Sequence, residues 1–276
     1  MTTILGIDAA WTATEPSGVA LVASRDNGWR CLAVAPSYES FLDLTRGVPV
    51  PWEQGRLPGS VPDVNMPDVK RLLQAAEERA GAAVDIVTID MPVATEPITG
   101  RREADNAVSR RFGAKGCAVH SPSTKRPGAL GAALTADFLA AGYPVATALT
   151  QSRLGPALVE VYPHPALLTL LNCKYRVKYK ISRARRFWPN PAERIGAVLD
   201  AFQRIHAALI EKLGPTGLIL PAEEEVRSLS RLKRYEDTLD ALVCAWVGTC
   251  YVEGSVEAFG DERAAIFCPW DPEGYS

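Results

Sequence analysis

The sequence predicts an α/β protein with a mixed sheet, in which the first strands form antiparallel hairpins and later strands run parallel. Three observations predict this class. Short apolar runs separated by turn residues fill residues 3–35, one buried apolar run lies at 83–90, and long helical patterns fill much of the C-terminal part. With 276 residues and 47% hydrophobic composition, the chain is long enough to bury a large core.

The first half predicts the element order β-β-β-α-β. A strong turn at Asp26-Asn27-Gly28 joins the second and third strands, and residues 47–67 read as a long loop rich in Pro and Gly. Helical spacing of apolar residues over 67–81, with Gly81 as the stop, predicts a helix. The predicted strands are Thr3–Asp8, Val19–Ala23, Trp29–Ala35 and Ala83–Asp90.

The second half predicts further helices around one more buried strand. The predicted strands are a short one at Tyr143–Ala148 and a buried one at Ala157–Val161. The predicted helices are Arg101–Phe112, Leu130–Ala141, Pro191–Leu213 and Tyr235–Val252. In the Pro191–Leu213 segment the apolar residues fall on one broad face, which is typical of a helix packed on a core.

Composition excludes several classes of protein. The formal net charge of -2 gives no overall attraction to nucleic acid or membranes, so polyanion binding has to come from local patches. The six cysteines contain no CxxC pair, which argues against a zinc finger, and we expect no disulfide. The N-terminus lacks the features of a signal peptide and no apolar stretch is long enough to span a bilayer. We therefore expect a cytoplasmic protein.

Three aspartates follow or interrupt apolar sequence, and they are the leading candidates for a site. Asp8 and Asp90 end predicted strands, and Asp240 lies within the apolar final helix. A lone carboxylate in such a place costs several kcal/mol unless it is paired or bound to a cation. The pattern predicts a shared metal site, and oxygen ligands favour Mg²⁺ or Mn²⁺. For Asp8 the alternative is a capped strand end.

Two further acids are candidates for the same site. Asp237 lies one turn before Asp240 on the same helix face, and the alternative is an acid favoured by the helix dipole. Glu160 lies in the Ala157–Val161 strand. It is either a fourth ligand or the partner of a nearby cation; the candidate cations are Arg101, Arg102 and Lys174.

His164 lies between two prolines beyond the Glu160 strand. A stiff loop at this strand end suits a general acid or base, or a contact to phosphate. A buried histidine that is hydrogen-bonded to backbone is the alternative. The sequence alone leaves both readings open.

Two basic regions are candidates for binding a substrate. In residues 174–186, which include Lys174, Tyr175 and Lys178, cations alternate with aromatic residues and no acid intervenes. Such a pattern can contact phosphates and stack on bases, and its alternative is a solvated strand or loop. The other region begins at Arg101 and Arg102, where arginines would clamp a phosphate or neutralise the acids.

Five motifs in this order resemble the ribonuclease H-like superfamily. More narrowly, the chain is similar to the family called domain of unknown function 429 (DUF429), whose members are often called predicted ribonuclease H-like nucleases. The motifs are Gly6-Ile7-Asp8-Ala9-Ala10-Trp11, Ile89-Asp90-Met91-Pro92, Arg101-Arg102-Glu103-Ala104-Asp105, Val159-Glu160-Val161-Tyr162-Pro163-His164 and Asp237-Thr238-Leu239-Asp240-Ala241.

The resemblance implies one ribonuclease H-like domain over residues 1–276. Its sheet would be mixed and five-stranded, with three antiparallel hairpin strands followed by parallel strands, and helices would flank it. A basic and helical insertion at about 94–150 and a second at about 166–234 would precede the final helix.

The resemblance also implies a hydrolase: a nuclease that cleaves nucleic acid with two divalent ions, with Asp8 as the bridging ligand. Asp90, Asp240 and Asp237 would complete the metal ligands. A non-catalytic module that binds nucleic acid or protein is the main alternative. An actin-like ATP-binding protein is disfavoured, because the sequence has neither two duplicated halves nor a Gly-rich phosphate loop.

Overall fold

The computed structural model describes residues 1–12, 14–25, 28–50, 52, 67–151 and 155–270. The strands are β1 (Thr3–Asp8), β2 (Gly18–Arg25), β3 (Gly28–Ala35), β4 (Ile86–Ile89), β5 (Ala157–Val161), β6 (Val256–Gly260) and β7 (Ala265–Pro269). The helices are α1 (Tyr38–Thr45), α2 (Val69–Ala80), α3 (Glu103–Phe112), α4 (Ala129–Ala140), α5 (Pro163–Leu170), α6 (Ala184–Phe187), α7 (Arg194–Leu213) and α8 (Lys233–Glu253).

The strands form one mixed sheet in the order β3-β2-β1-β4-β5-β7-β6. Strands β1 to β3 pair antiparallel, β4 pairs parallel with both β1 and β5, and β7 pairs parallel with β5. The predicted α/β class and mixed sheet are therefore confirmed. The predicted number of five strands is wrong, because the β6–β7 hairpin extends the sheet to seven.

Helices cover both faces of this sheet. On one face, α8 packs across β1, β2 and β4, and α7 packs on α8. On the other face, α1 and α2 pack on β2 and β3, and α2 contacts α4. A smaller third cluster joins α3 to β6 and β7, and its largest members are Phe112 and Phe259. Among the described helices, none is long and apolar enough to cross a membrane.

Several predicted elements differ from the structure. The segment Tyr143–Ala148 forms no strand and makes only one bridge, between Val145 and Leu158. Helices α1 and α5 lie in segments where we predicted no helix; α1 begins after Ser37, whose hydroxyl accepts a hydrogen bond from the Ser40 amide at 3.1 Å. Residues 26–27 of the predicted turn and most of the predicted 47–67 loop lie outside the described residues.

Helix α8 lies unusually close to the sheet because two glycines face it. A Cβ atom at Gly6 would lie 2.5 Å from the backbone nitrogen of Ala245 and 2.6 Å from the carbonyl oxygen of Ala241. A Cβ atom at Gly18 would lie 2.1 Å from the carbonyl oxygen of Asp237. Any side chain at these positions would push α8 away. The glycines therefore set the distance between the helix and the ends of β1 and β2.

Candidate active site

Asp8 and Asp90 project from the sheet face that α8 covers. Side chains alternate between the two faces along a strand, and Ile4 and Ile86, each four residues earlier, pack in the core beneath α8. Strands β1 and β4 pair in parallel, and the Asp90 amide continues the ladder by donating to the carbonyl of Ile7 at 2.9 Å. The two carboxylates therefore leave the sheet next to each other.

Helix α8 brings three more carboxylates to the same place. Glu236, Asp237 and Asp240 are each no more than 3% exposed. Burial is the main cause that raises the pKa of Asp90, of Asp237 and of Asp240, and the Asp8 charge raises each of them further. Asp8, Asp90, Asp237 and Asp240 therefore lie close enough for their charges to interact, and their role as metal ligands stays a prediction.

Asp240 is held by a tyrosine and a lysine. The Tyr179 hydroxyl donates to Oδ1 of Asp240 at 2.7 Å, and the Lys180 ammonium donates to Oδ2. Lys180 Nζ also lies 3.3 Å from Oε1 of Glu236. Burial raises the pKa of Asp240 to about 6, although the Lys180 charge opposes this. Both carboxylate oxygens of Asp240 therefore already accept a hydrogen bond from a neighbouring side chain.

A second lysine, Lys233, partly neutralises the acids at the start of α8. Lys233 Nζ donates to Oε1 of Glu236 at 3.0 Å and also to Oδ1 of Asp237. Burial favours the neutral form of Glu236, but the charges of Lys180 and Lys233 outweigh it and lower the pKa of this carboxyl. The α8 acids therefore already share two ammonium groups.

The remaining carboxylate oxygens are left without a cation. The ion pairs within this cluster, as far as the described residues show, are made by Glu236, Asp237 and Asp240, and not by Asp8 or Asp90. Oδ2 of Asp237 is buried, and no donor in the described part of the chain forms a hydrogen bond to it. Five carboxyl groups thus meet two ammonium groups. This excess of negative charge and this set of oxygen donors fit a divalent cation.

The arrangement of these side chains is not that of a preformed metal centre. In the described part of the chain, no group of three or more His, Cys, Asp or Glu side chains is arranged to hold a metal ion. The reason lies in the contacts above, since ammonium groups occupy oxygens of Asp237 and Asp240. A metal at this site would use Asp8, Asp90 and the free oxygen of Asp237.

Glu160 belongs to the opposite face of the sheet. It lies beside Ile89 in the parallel register, so it shares the face of Ile89 and not that of Asp90. Arg102 donates two hydrogen bonds to Glu160, of 2.6 and 2.7 Å, and the Val93 amide donates a third at 2.9 Å. Arg102 also bonds the buried Asp105. Of the alternatives for Glu160, the structure shows the pair with Arg102, and Glu160 also contributes to the lining of the cleft over the acids.

His164 opens α5 at the edge of the same cleft and is 6% exposed. Burial is the main cause that lowers the pKa of His164 well below its usual range, and the charges of Lys180 and Arg176 lower it further. The imidazole is therefore neutral. Its Nε2 contacts the Arg176 guanidinium, and its Nδ1 is buried without a partner among the described residues.

The predicted substrate-binding residues lie in three different settings. Arg101 donates to Ser109 Oγ on α3 at 2.6 Å and to Ser121 Oγ at 2.9 Å. Lys174 and Lys178 are exposed and do not line the cleft. Tyr175 is 61% exposed and lies against Gly116. None of these residues contacts the acidic cluster.

A cleft of about 870 Å³ lies over the acids. Asp8, Asp90 and Asp237 are in its wall, together with Trp11 and His164. Its lining also contains positively charged side chains from several segments; these are Arg126, Arg176, Lys180, Arg183 and Lys233. The cleft therefore combines carboxylates with several positively charged side chains.

Sequence reasoning missed four residues of the site: Tyr179, Lys180, Lys233 and Glu236. Lys233 carried a local signal, because it precedes Glu236 by three residues and Asp237 by four, the spacing of helical ion pairs. Tyr179 follows Val177 with a period of two, and both are buried. For Lys180 no local pattern indicates a partner, since Asp240 is distant in sequence and only the fold brings them together.

Comparison with known proteins gives one match. A family model described as a protein of unknown function, DUF429, matches residues 6–265. No curated protein and no solved structure matches the chain. The matched residues include the end of β1 with Asp8 and all of β4, β5 and α8, so every acid of the cluster lies inside the region that the family model covers.

Proposed function

This chain belongs to the DUF429 family, and from its site we propose that it is a metal-dependent hydrolase that cleaves phosphodiester bonds in nucleic acid. One observation carries the proposal. Asp8, Asp90 and Asp237 meet in one cleft, the Asp8 and Asp237 carboxyl groups contact each other, and these acids carry more negative charge than the neighbouring lysines balance.

The topology supports a ribonuclease H-like arrangement. Such a site needs acids on adjacent strands and on a helix that packs across the sheet. Here β1 and β4 are adjacent and parallel, and α8 crosses them. The hairpin strands β1 to β3 precede the parallel strands β4 and β5 in the sheet order. This is the order of elements that the resemblance implied.

Mg²⁺ or Mn²⁺ fits the donor set, which consists of carboxylate oxygens. Asp8, Asp90 and Asp237 would hold the ion. Its contribution when bound is Lewis-acid polarisation of a phosphoryl oxygen, which stabilises developing charge. Asp8 would be the central ligand, because its charge raises the pKa of Asp90, of Asp237 and of Asp240.

The other residues of the cleft would bind the substrate. Arg126 and Arg183 would contact phosphate oxygens along the strand. Trp11 offers an aromatic face for a base. The neutral imidazole of His164 accepts from the Arg176 guanidinium through Nε2, so its proton is on Nδ1 and it would contact phosphate as a donor and not act as a base.

The decisive experiment is cleavage of labelled RNA and DNA oligonucleotides, single-stranded and duplex, by wild type and Asp8→Asn with Mn²⁺, Mg²⁺ or EDTA. We expect metal-dependent cleavage by wild type and a loss of at least about 100-fold in the variant, in line with the size of single electrostatic contributions to catalysis. Asp200→Asn, at an exposed position of α7, is the matched control. Cleavage that survives in Asp8→Asn would contradict the proposal.

A non-catalytic binding module is the second candidate, and one observation favours it. Lys180 and Lys233 already neutralise part of the acidic cluster, as a site without catalysis would tolerate. A binding module predicts oligonucleotide binding that weakens steeply with salt, with no turnover under any metal condition. The same panel of oligonucleotides separates the two candidates.

A further inference from the structure

Lys180 occupies a position between two carboxylates of α8. Its ammonium group donates to Oδ2 of Asp240 and lies 3.3 Å from Oε1 of Glu236. It also lines the cleft beside Asp8 and Asp90. The Lys180 ammonium group therefore bridges Asp240 and Glu236 and lies in the cleft with Asp8 and Asp90. A bridging metal ion would bind at the same position.

The surroundings keep Lys180 charged. Burial opposes its charge, but Asp240, Tyr179, Glu236 and Asp8 together raise its pKa well above the usual range. The side chain is 19% exposed, against 42% for Lys233. Lys233 lies on α8 itself, at helical spacing from its partners, whereas Lys180 comes from a different segment of the chain. Lys180 is thus a fixed internal cation and Lys233 a partly solvated one.

We propose that the Lys180 ammonium stands in for one of the two divalent ions, so that the cleft binds a single ion at Asp8, Asp90 and Asp237. This inference rests on the proposed function, and it corrects the number of ions that the resemblance implied. Lys180 already pairs with Asp240 and Glu236, which leaves Asp8, Asp90 and Asp237 for the ion.

The same geometry gives Lys180 a role toward substrate. An ammonium group has three N–H donors, and the described contacts direct two of them to Asp240 and Glu236. Because Lys180 also lines the cleft, its third donor would face the substrate. It would donate to a phosphate oxygen that a second ion would otherwise contact. Lys180 is therefore a substrate-binding cation of fixed position, and Tyr179 and Asp240 orient it.

The test is the number of Mn²⁺ ions bound, counted by calorimetry and by electron paramagnetic resonance of free Mn²⁺. The proteins are wild type, Lys180→Gln and the control Lys178→Gln, which changes an exposed lysine outside the cleft. We expect one ion for wild type, two for Lys180→Gln and one for the control. Two ions in wild type would overturn the inference, as would one ion of unchanged affinity in Lys180→Gln.

These results are separable from failure of the proposed function. No ion in wild type but one in Lys180→Gln supports the role of Lys180 and contradicts metal-dependent hydrolysis by the native protein. No ion in either protein overturns the inference, because the vacated Asp240–Glu236 pair should attract one. If Lys180→Gln does not fold, the wild-type count still decides. If it folds, Mn²⁺ should raise its Tm more than that of wild type.

Discussion

At the scale of single residues, the site is defined by which charges are compensated. Glu160 is bonded by Arg102 and Asp240 by Lys180, whereas Asp8 and Asp90 have no such partner among the described residues. Burial raises the pKa of Asp90 well above its usual range, and the neighbouring Asp8 raises it further. The ionised form of Asp90 therefore destabilises the folded protein whenever no cation is bound.

We expect Asp90→Asn to stabilise the metal-free protein in a pH-dependent way. Because the folded-state pKa is raised, the stability from protonated Asp90 is fully present below about pH 4 and is lost as the pH rises through the folded pKa. Asparagine resembles the protonated acid at every pH. The gain in free energy of unfolding should be on the order of 1 kcal/mol at pH 8 and near zero at pH 4.

Urea denaturation in EDTA at pH 4, 6 and 8 would measure this difference. Asp200→Asn serves as the exposed control and should change little at any pH. Equal stability of wild type and Asp90→Asn at pH 8 would show that Asp90 is compensated in a way that its contacts do not reveal.

At the scale of elements, α8 is the part of the fold that assembles the site. Every residue from Arg234 to Tyr251 is buried, so the helix is enclosed between the sheet and its neighbours. The Thr88 hydroxyl donates to the Cys244 carbonyl at 2.8 Å and ties β4 to the middle of the helix. Close contact at Gly6 then fixes how near the α8 acids come to Asp8.

We expect Gly6→Ala to lower the free energy of unfolding by about 1–3 kcal/mol, the usual range for overpacking a core. The added methyl group would meet the α8 backbone, which cannot rotate away as a side chain can. Displacement of α8 should also weaken Mn²⁺ binding. Thermal denaturation and Mn²⁺ titration measure the two effects.

Gly100→Ala is the matched control, because a Cβ atom at Gly100 meets nothing within 4 Å. It should leave stability and Mn²⁺ binding unchanged. A stable Gly6→Ala protein with wild-type Mn²⁺ affinity would mean that the distance between α8 and β1 does not determine the site.

At the scale of the whole molecule, charge is distributed unevenly over a chain of formal net charge -2. The acids lie deep in the cleft, and Arg126 and Arg183 lie in its lining on other segments. Lys174 and Lys178 form a separate exposed basic surface. The cleft thus has both cations that would attract a polyanion and acids that would bind a metal ion. The Lys174–Lys178 surface has only the cations.

We expect Arg126→Met and Arg183→Met to weaken binding of a single-stranded oligonucleotide more than Lys174→Met and Lys178→Met do. Each lost phosphate contact should reduce the slope of log K against log salt by about 0.7. Fluorescence anisotropy at several salt concentrations, with Ca²⁺ in place of Mg²⁺, gives both quantities. The reverse ranking would place the nucleic acid on the Lys174–Lys178 surface.

The sequence by itself determined the local features of this protein. Short apolar runs and turn residues indicated β1 to β5, with the exact ends only for β1 and β5, and acids at strand ends indicated Asp8 and Asp90, because these signals depend only on neighbouring residues. The extra β6–β7 hairpin escaped prediction, since β6 is short and carries the exposed Glu257. Glu160 lies between two buried valines in β5, so the alternation of side chains along the strand already placed it on the sheet face opposite to theirs.

Only the tertiary structure decided which charges meet. The partners Lys180 and Asp240, like Arg102 and Glu160, are about 60 residues apart in sequence, and no local pattern links residues at such a separation. Their contacts follow from the sheet register and from the depth at which α8 packs on Gly6. Whether a buried carboxylate is paired or left for a cation is therefore a property of the fold, because electrostatic partners are selected by distance in space.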